Sequence, residues 1–271
     1  MGTGEDSQMD DTLKDPIGSA IAQEAPEALA DKARQPWARM MVLACLAGAF
    51  IAFGSVISLV AQSGAGDSSV TGAVQLISGL AFSVGLILVM IAGAELFTGN
   101  TMMVLPAATG ELAAGRMIQA WIVVWLGNLV GSLAVALLFS ASGGLEGNVG
   151  DAARSLVADK LAKTPQAVFS SAILANILVC LAVWMSMSAV TIPAKVIAIV
   201  GPITVFVAAG LEHSVANMSI LPLGWLSGPG EDVAWLSGLQ NLALSTLGNM
   251  VGGALLVLSL GYGHDALRRG A

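Results

Sequence analysis

The sequence predicts an all-α membrane protein: six transmembrane helices in two inverted three-helix repeats, the second and fifth helices broken. Three observations carry that prediction. Only 11% of the 271 residues are charged and 56% are hydrophobic, whereas a soluble domain carries roughly 25% charged residues. The charges bound apolar runs longer than the ~20 residues that a spanning helix needs. Two short motifs also recur, in the same order, in the two halves of the chain.

Residues 1–36 read as an acidic cytoplasmic tail. They hold eight acids and three bases, so most of the net charge of −7 lies there. Such a composition is that of a solvated segment. Ile17, Ile21, Ala25, Ala28 and Leu29 lie close to helical spacing, which predicts that part of the tail is an amphipathic helix on the membrane surface. The acidic start precedes any apolar run, so no signal-peptide pattern is present.

The membrane domain is expected over residues 37–263, with a short cytoplasmic tail over 264–271. Span one falls between Arg39 and Asp67, span three between Arg116 and Glu146, span four between Lys163 and Lys195, and span six between Asp232 and His264. None of these intervals contains a charge. Span two is apolar from Val70 to Ala94, meets Glu95, and resumes from Leu96 to Thr109. Span five is apolar from Val196 to Leu211, meets Glu212 and His213, and resumes from Ser214 to Pro229. A cytoplasmic N-terminus places Lys14, Lys32, Arg34, Arg39, Arg116, Lys195, Arg268 and Arg269 inside, and Arg154, Lys160 and Lys163 outside. Eight against three predicts both termini inside, hence a multi-pass protein of the cytoplasmic (inner) membrane. Trp37, Trp225 and Trp235 fit interfacial belts.

The repeat is legible in the motifs. Leu126-Gly127-Asn128-Leu129-Val130-Gly131 lies in span three and Leu247-Gly248-Asn249-Met250-Val251-Gly252 in span six. The two breaks read Gly93-Ala94-Glu95 and Gly210-Leu211-Glu212, each followed by an Asn and a Met. An odd number of spans per repeat makes the second copy enter from the opposite side, as in many channels and transporters whose site lies at the midplane between broken helices.

Broken backbone in a bilayer must line a cavity or be buried in protein. Gly93 and Gly210 permit the turn that ends a helix, and Thr98 and Ser214 are expected as N-caps of the half-helices that follow. Half-helix N-termini facing the centre favour a small anion. Glu95 and Glu212 are then expected behind the pore, bonded to loop amides or to a lysine, with Glu212 also a candidate to orient His213. The imidazole of His213 can offer a hydrogen bond or a proton at bilayer depth. The counterpart break carries Thr98 and no histidine.

Cys45 and Cys180 fall in spans and read as buried apolar residues rather than a disulfide or metal pair. A single histidine in the spans excludes bis-histidine haem ligation. No metal or cofactor is implied, and no nucleic-acid partner.

These residues resemble the formate/nitrite transporter family over roughly Arg39 to Tyr262. The resemblance rests on Phe82-Ser83-Val84-Gly85-Leu86, Gly93-Ala94-Glu95-Leu96-Phe97-Thr98, Gly127-Asn128-Leu129-Val130-Gly131, Ala175-Asn176 with Leu181-Ala182-Val183-Trp184, Glu212-His213-Ser214-Val215-Ala216-Asn217-Met218, and Gly248-Asn249. The stretch Glu95 to Met102 looks most like the nitrite-channel branch. The resemblance implies an aquaporin-like protomer with its own pore, assembled as a homopentamer, passing small monovalent anions such as formate and nitrite, often together with a proton. It implies His213 as the central histidine, Thr98 facing it, and Asn176 and Asn249 as pore-region asparagines. It implies Phe82, Leu86, Leu96, Phe97 and Phe206 at hydrophobic constrictions, and Lys160 in a vestibule. Inverted symmetry places Phe82 and Phe206 on opposite sides of the centre, giving two dry rings around a histidine chamber. Lys163 joins Lys160 in drawing anions in. The acidic first 36 residues match no stretch of the family pattern.

The expected function is therefore a channel or transporter for small monovalent anions, not an enzyme. A channel for hydrosulfide or hydrogen sulfide, ammonia or water is the alternative. The aquaporin Asn-Pro-Ala motif is absent, and ammonium channels carry two pore histidines. Ser214, adjacent to His213 in sequence, is poorly placed as a nucleophile for it.

Overall fold

A computed structural model of the chain describes residues 18–64, 72–228 and 234–267. Ile17, Lys14, Pro229, Arg268 and Arg269 lie outside the described residues. Within them the fold is all-helical. Helix α1, Gly18–Arg34, precedes the spans. Span one is α2, Trp37–Ser63. Span two is α3, Gly72–Ala92, followed after the break by α4, Phe97–Asn100, a 3₁₀ turn over Thr101–Met103 and α5, Val104–Ala108. Span three is α6, Ala114–Ala141. Helix α7, Asn148–Leu161, links the halves. Span four is α8, Pro165–Ser188. Span five is α9, Ile192–Ala208, and, beyond its break, α10, Ser214–Leu226. Span six is α11, Trp235–Gly263. Helices α2, α3, α6, α8 and α11 are each long and apolar enough to cross a membrane alone, and α9 with α10 makes the sixth crossing.

Local chemistry sets several starts. Helix α8 begins with Thr164, whose hydroxyl accepts from the Ala167 amide, and with Pro165 in the first turn. Helix α9 does the same with Thr191 and Pro193. A side-chain oxygen satisfies an orphan N–H, and proline fits where no N–H is needed. Helix α7 buries Gly150, Ala153, Val157 and Lys160, one stripe at helical spacing, so Lys160 points inward as the last member of an apolar face.

The two halves pack alike. Within each repeat the first and third spans lie together, α2 on α6 and α8 on α11, and α3 crosses α9 between the halves. The close approach is permitted by glycine. A Cβ on Gly131 would overlap the Cys45 carbonyl, and one on Gly252 would overlap that of Ile173. Small residues let backbones approach within a bilayer, where packing and hydrogen bonds drive association. The half-helices intertwine: α10 packs on α2 and α6 of the first repeat, while the segment after the span-two break packs on α8 and α11 of the second.

Helix α1 is amphipathic. It buries Ile21, Ala25, Leu29 and Ala33 among others, in part against Met102, Leu105, Val183, Trp184 and Val257. Arg116 ties down its end, donating to the Ala33 and Gln35 carbonyls at 2.7 and 2.8 Å while lying over the Trp37 ring.

Candidate functional site

Both breaks are built the same way. Gly93 (φ +67°) and Gly210 (φ +62°) take the left-handed conformation, and the next amides bond back five residues, Ala94 to the Val89 carbonyl at 2.9 Å and Leu211 to that of Phe206 at 3.2 Å. That is the glycine-terminated ending of a helix. An asparagine of the opposing span then replaces the missing helical partners. Asn128 accepts from the Phe97 amide at 2.8 Å and donates to the carbonyls of Ala44 and Glu95 at 2.8 and 2.9 Å. Asn249 accepts from the Ser214 amide at 2.8 Å and donates to Ala172 and Glu212 at 2.8 and 3.1 Å.

This matching fixes the symmetry register. Phe97 pairs with Ser214, so His213 pairs with Leu96 and Thr98 with Val215. The expected caps, Thr98 and Ser214, are not the caps. Leu96 and His213 occupy those positions, because a distant asparagine already accepts the first helical amide. His213 adds its own cap, its Nδ1 accepting from the Ala216 amide at 3.1 Å.

Both glutamates lie behind the breaks. Glu95 accepts from Lys32 at 3.3 Å, Gln35 at 2.8 Å and Asn100 at 2.9 Å. Glu212 accepts from Lys160 at 3.0 Å, Lys163 at 2.6 Å and Asn217 at 2.8 Å. The asparagines at Glu + 5 match; the cations do not. Lys32 is more than a third exposed, whereas Lys160 is buried. Burial pushes the Lys160 ammonium below its usual range, and Glu212 pulls it back. Among the described residues Glu212 makes no hydrogen bond to the His213 ring, so it does not orient the imidazole directly. Thr98 and the Ala216 amide do. The His213 Nε2 lies 2.9 Å from the Thr98 hydroxyl.

A cavity of about 390 Å³ runs from the face carrying α7 down to His213, lined among others by Gln62, Ser78, Phe82, Asp159, Lys160, Lys163 and Phe206. On the opposite face a smaller, largely apolar cavity of about 170 Å³ is lined by Val89, Leu96, Asn100 and Val183, with Leu29 and Lys32 of α1. Phe82 and Phe206 do not lie on opposite sides of the centre. Their rings meet edge to face at 5.6 Å, and Phe206 lies 5.5 Å from the His213 ring. Phe82 stands 13 residues before Glu95 and Phe206 six before Glu212, so they are not symmetry mates. The register pairs Phe206 with Val89, which lines the other cavity.

The sequence-derived residues thus separate. Phe82, Phe206, His213 and Lys160 line the larger cavity, and Leu96 the smaller. Leu86 and Phe97 line neither cavity, and Phe97 packs on Trp121. Asn176 and Asn249 line neither cavity; Asn249 binds backbone alone, and Asn176 binds backbone and the Thr101 hydroxyl. Lys32, Gln35 and Asn128 were not expected at the site, nor was Asn241, which accepts from Asn217 at 2.7 Å and donates to Glu212 at 3.5 Å. Asn128 was visible as half of a repeated motif, while nothing in the sequence marks Lys32.

The formate/nitrite transporter family description matches residues 19–263. The chain belongs to that family. The formate channel FocA of Escherichia coli (strain K12) is 36% identical over 262 residues, covering 89% of this chain and 91% of that one. The nitrite transporter NirC of Salmonella typhimurium (strain LT2) is 41% identical over 226 residues, covering 82% and 81%. Formate and nitrite relatives stand at similar identity, so membership of the formate/nitrite transporter family is shown without its branch. A solved structure described as a pentameric formate channel with formate bound superposes with a TM-score of 0.77 at 33% identity, covering 85% of this chain and 98% of that one. The all-helical membrane fold of six spans, two of them broken, is the fold of this family. The family match begins at residue 19 and includes α1, twenty residues before the resemblance visible in the motifs. As a family member the chain is a channel or transporter rather than an enzyme.

Proposed function

We propose that the protein conducts formate and nitrite through a pore in each protomer, handling the anion at the Thr98–His213 pair. The observation that carries this reading is the 2.9 Å contact between the His213 Nε2 and the Thr98 hydroxyl, where the half-helices of the two repeats meet. Lys160 and Lys163 share Glu212 at the wall of the larger cavity and draw an anion inward. The Phe82–Phe206 pair strips water from it. Leu96 and Val89 form the second dry ring, on the α1 side.

The hydrogen-bond network assigns the ring's tautomer. Nδ1 accepts from the Ala216 amide, so in the neutral imidazole the hydrogen sits on Nε2 and is offered toward Thr98. An anion arriving there takes that hydrogen bond. Full proton transfer through a cationic ring requires Nδ1 to release Ala216. Proton coupling in this reading therefore includes a local opening at the first turn of α10. A neutral acid then crosses the second ring far more cheaply than an ion. The likeness of Glu95 to Met102 to the nitrite-channel branch favours nitrite as a physiological substrate. The α7 face is outside, both termini are cytoplasmic, and five protomers assemble. Residues 37–263 form the channel domain.

Flux into proteoliposomes tests the reading. Formate and nitrite are expected to enter faster than into empty vesicles, and His213→Ala to lower the flux and flatten its pH dependence. Vesicles that pass only water, ammonia or hydrogen sulfide would establish the alternative solute class.

A further inference from the structure

The two repeats are alike at their breaks and differ four residues further along the packed spans. The Asn128 and Asn249 bonds align Ala44 with Ala172. Gly48 of α2 therefore corresponds to Asn176 of α8, and Ser132 of α6 to Gly253 of α11. In the first repeat a Cβ on Gly48 would overlap the Asn128 carbonyl, and Ser132 donates to the Gly48 carbonyl at 3.1 Å. In the second, large and small have changed places. Asn176 extends its amide, and a Cβ on Gly253 would overlap the Thr101 hydroxyl and lie 2.9 Å from the Asn176 Nδ2.

The room is used in one place. The buried Nδ2 of Asn176 shares its two hydrogens among the Asn249 carbonyl at 2.6 Å, the Thr101 hydroxyl at 2.9 Å and the Thr98 carbonyl at 3.2 Å. Thr101 in turn donates to the Thr98 carbonyl at 2.6 Å. Here the half-helix tightens into its 3₁₀ turn, whereas α10 runs as regular α-helix. Asn249, the other recipient, holds Ser214 and Glu212 on either side of His213. One amide thus binds the carrier of Thr98 and the carrier of His213.

We propose that Asn176 is a positioning residue that sets the Thr98–His213 spacing, with Gly253 as the complement that makes room for it. The inference rests on the reading that this pair handles the anion. The full-length protein is tested in proteoliposomes for formate and nitrite flux across the acid-to-neutral range. The informative variant combines Asn176→Gly with Gly253→Ser, importing the first repeat's own solution. A Cβ at position 253 must displace the Thr101 hydroxyl and the Asn176 bonds are lost, so the protein is expected to melt below the parent; where it assembles, it is expected to lose about tenfold in flux, the equivalent of one net hydrogen bond. Its pH profile is expected to move to that of Thr98→Val, and adding Thr98→Val is expected to change little more, since residues in one network are non-additive. Parental flux and pH profile in the swapped protein would overturn the proposal. So would effects of the swap and of Thr98→Val that multiply independently. If the swap does not assemble, Asn176→Ala in the same cycle with Thr98→Val decides by the same criterion. The underlying reading is checked separately by His213→Ala. An unaltered His213→Ala protein removes the anion site itself, whereas an impaired one beside a parental swap removes only the positioning role.

Discussion

Replacing Asn249 by leucine removes three hydrogen bonds while keeping the branched outline of a fully buried side chain. The bonds are those to the Ser214 amide and to the carbonyls of Ala172 and Glu212, all between 2.8 and 3.1 Å. Each contributes about 1 kcal/mol net, and the stranded Ser214 N–H adds a desolvation cost of about 1–3 kcal/mol. Leucine's apolar contacts offset part of this, leaving an expected loss of about 3–5 kcal/mol. Asn128 makes the same three bonds at 2.8–2.9 Å, so Asn128→Leu should cost the same within about 1 kcal/mol. Both variants should also lower anion flux, since Phe97 precedes Thr98 and Ser214 follows His213. Unfolding by denaturing detergent in mixed micelles, monitored by tryptophan fluorescence, measures the losses. Either protein unfolding within about 1 kcal/mol of the parent would show that these bonds do not hold the breaks. A difference between the two above about 2 kcal/mol would show that the repeats are not energetically equivalent there.

The glutamates should break that equivalence. Glu212→Gln leaves the buried Lys160 without its carboxylate and is expected to cost about 3–5 kcal/mol, whereas Glu95→Gln loses a pair with the part-exposed Lys32 worth about 1 kcal/mol or less; the same titration compares them. Gly131→Ala should fail to give folded protein, because its Cβ would overlap the Cys45 carbonyl. Gly115→Ala, on an exposed turn of α6 with open space around it, should be neutral or stabilising by up to about 1 kcal/mol, and yield after size-exclusion chromatography separates the two. Arg116→Gln should loosen α1, raising amide exchange over residues 18–34 while exchange in α6 and α11 stays put.

The fold was legible because bilayer physics writes it in composition: charge-free runs longer than a span, and Gly-x-Glu where a run breaks. The inverted repeat was legible because Asn128 and Asn249 do the same work on the same backbone atoms, and so sit in the same six-residue setting. Contacts made across the chain were not legible. Thr98 and Ser214 have the chemistry of N-caps, but capping here comes from asparagines more than thirty residues away, and local preference cannot see a distant acceptor. Phe82 and Phe206 looked like mates because each precedes a break. Their different distances from Glu95 and Glu212 hold the evidence against it, since helical spacing fixes the face a residue occupies. Lys32 lies in an acidic segment that resembles a tail, and only the docking of α1 brings it to Glu95.

Symmetry and chemistry part at one residue. Leu96 and His213 stand in equivalent positions, each ending the irregular backbone before a half-helix. Leucine there can only exclude water. Histidine excludes it on the Phe206 side, caps its helix through Nδ1, and offers Nε2 to Thr98. A capping role alone would be met by serine or asparagine, both stronger N-caps, so the second nitrogen is what distinguishes histidine here. His213→Asn therefore separates the two roles. The amide oxygen of asparagine can still accept from Ala216 but reaches less far toward Thr98. The variant should retain parental stability within about 1 kcal/mol while losing flux and its pH dependence together. A stable His213→Asn protein with the parental pH profile would reduce His213 to a cap.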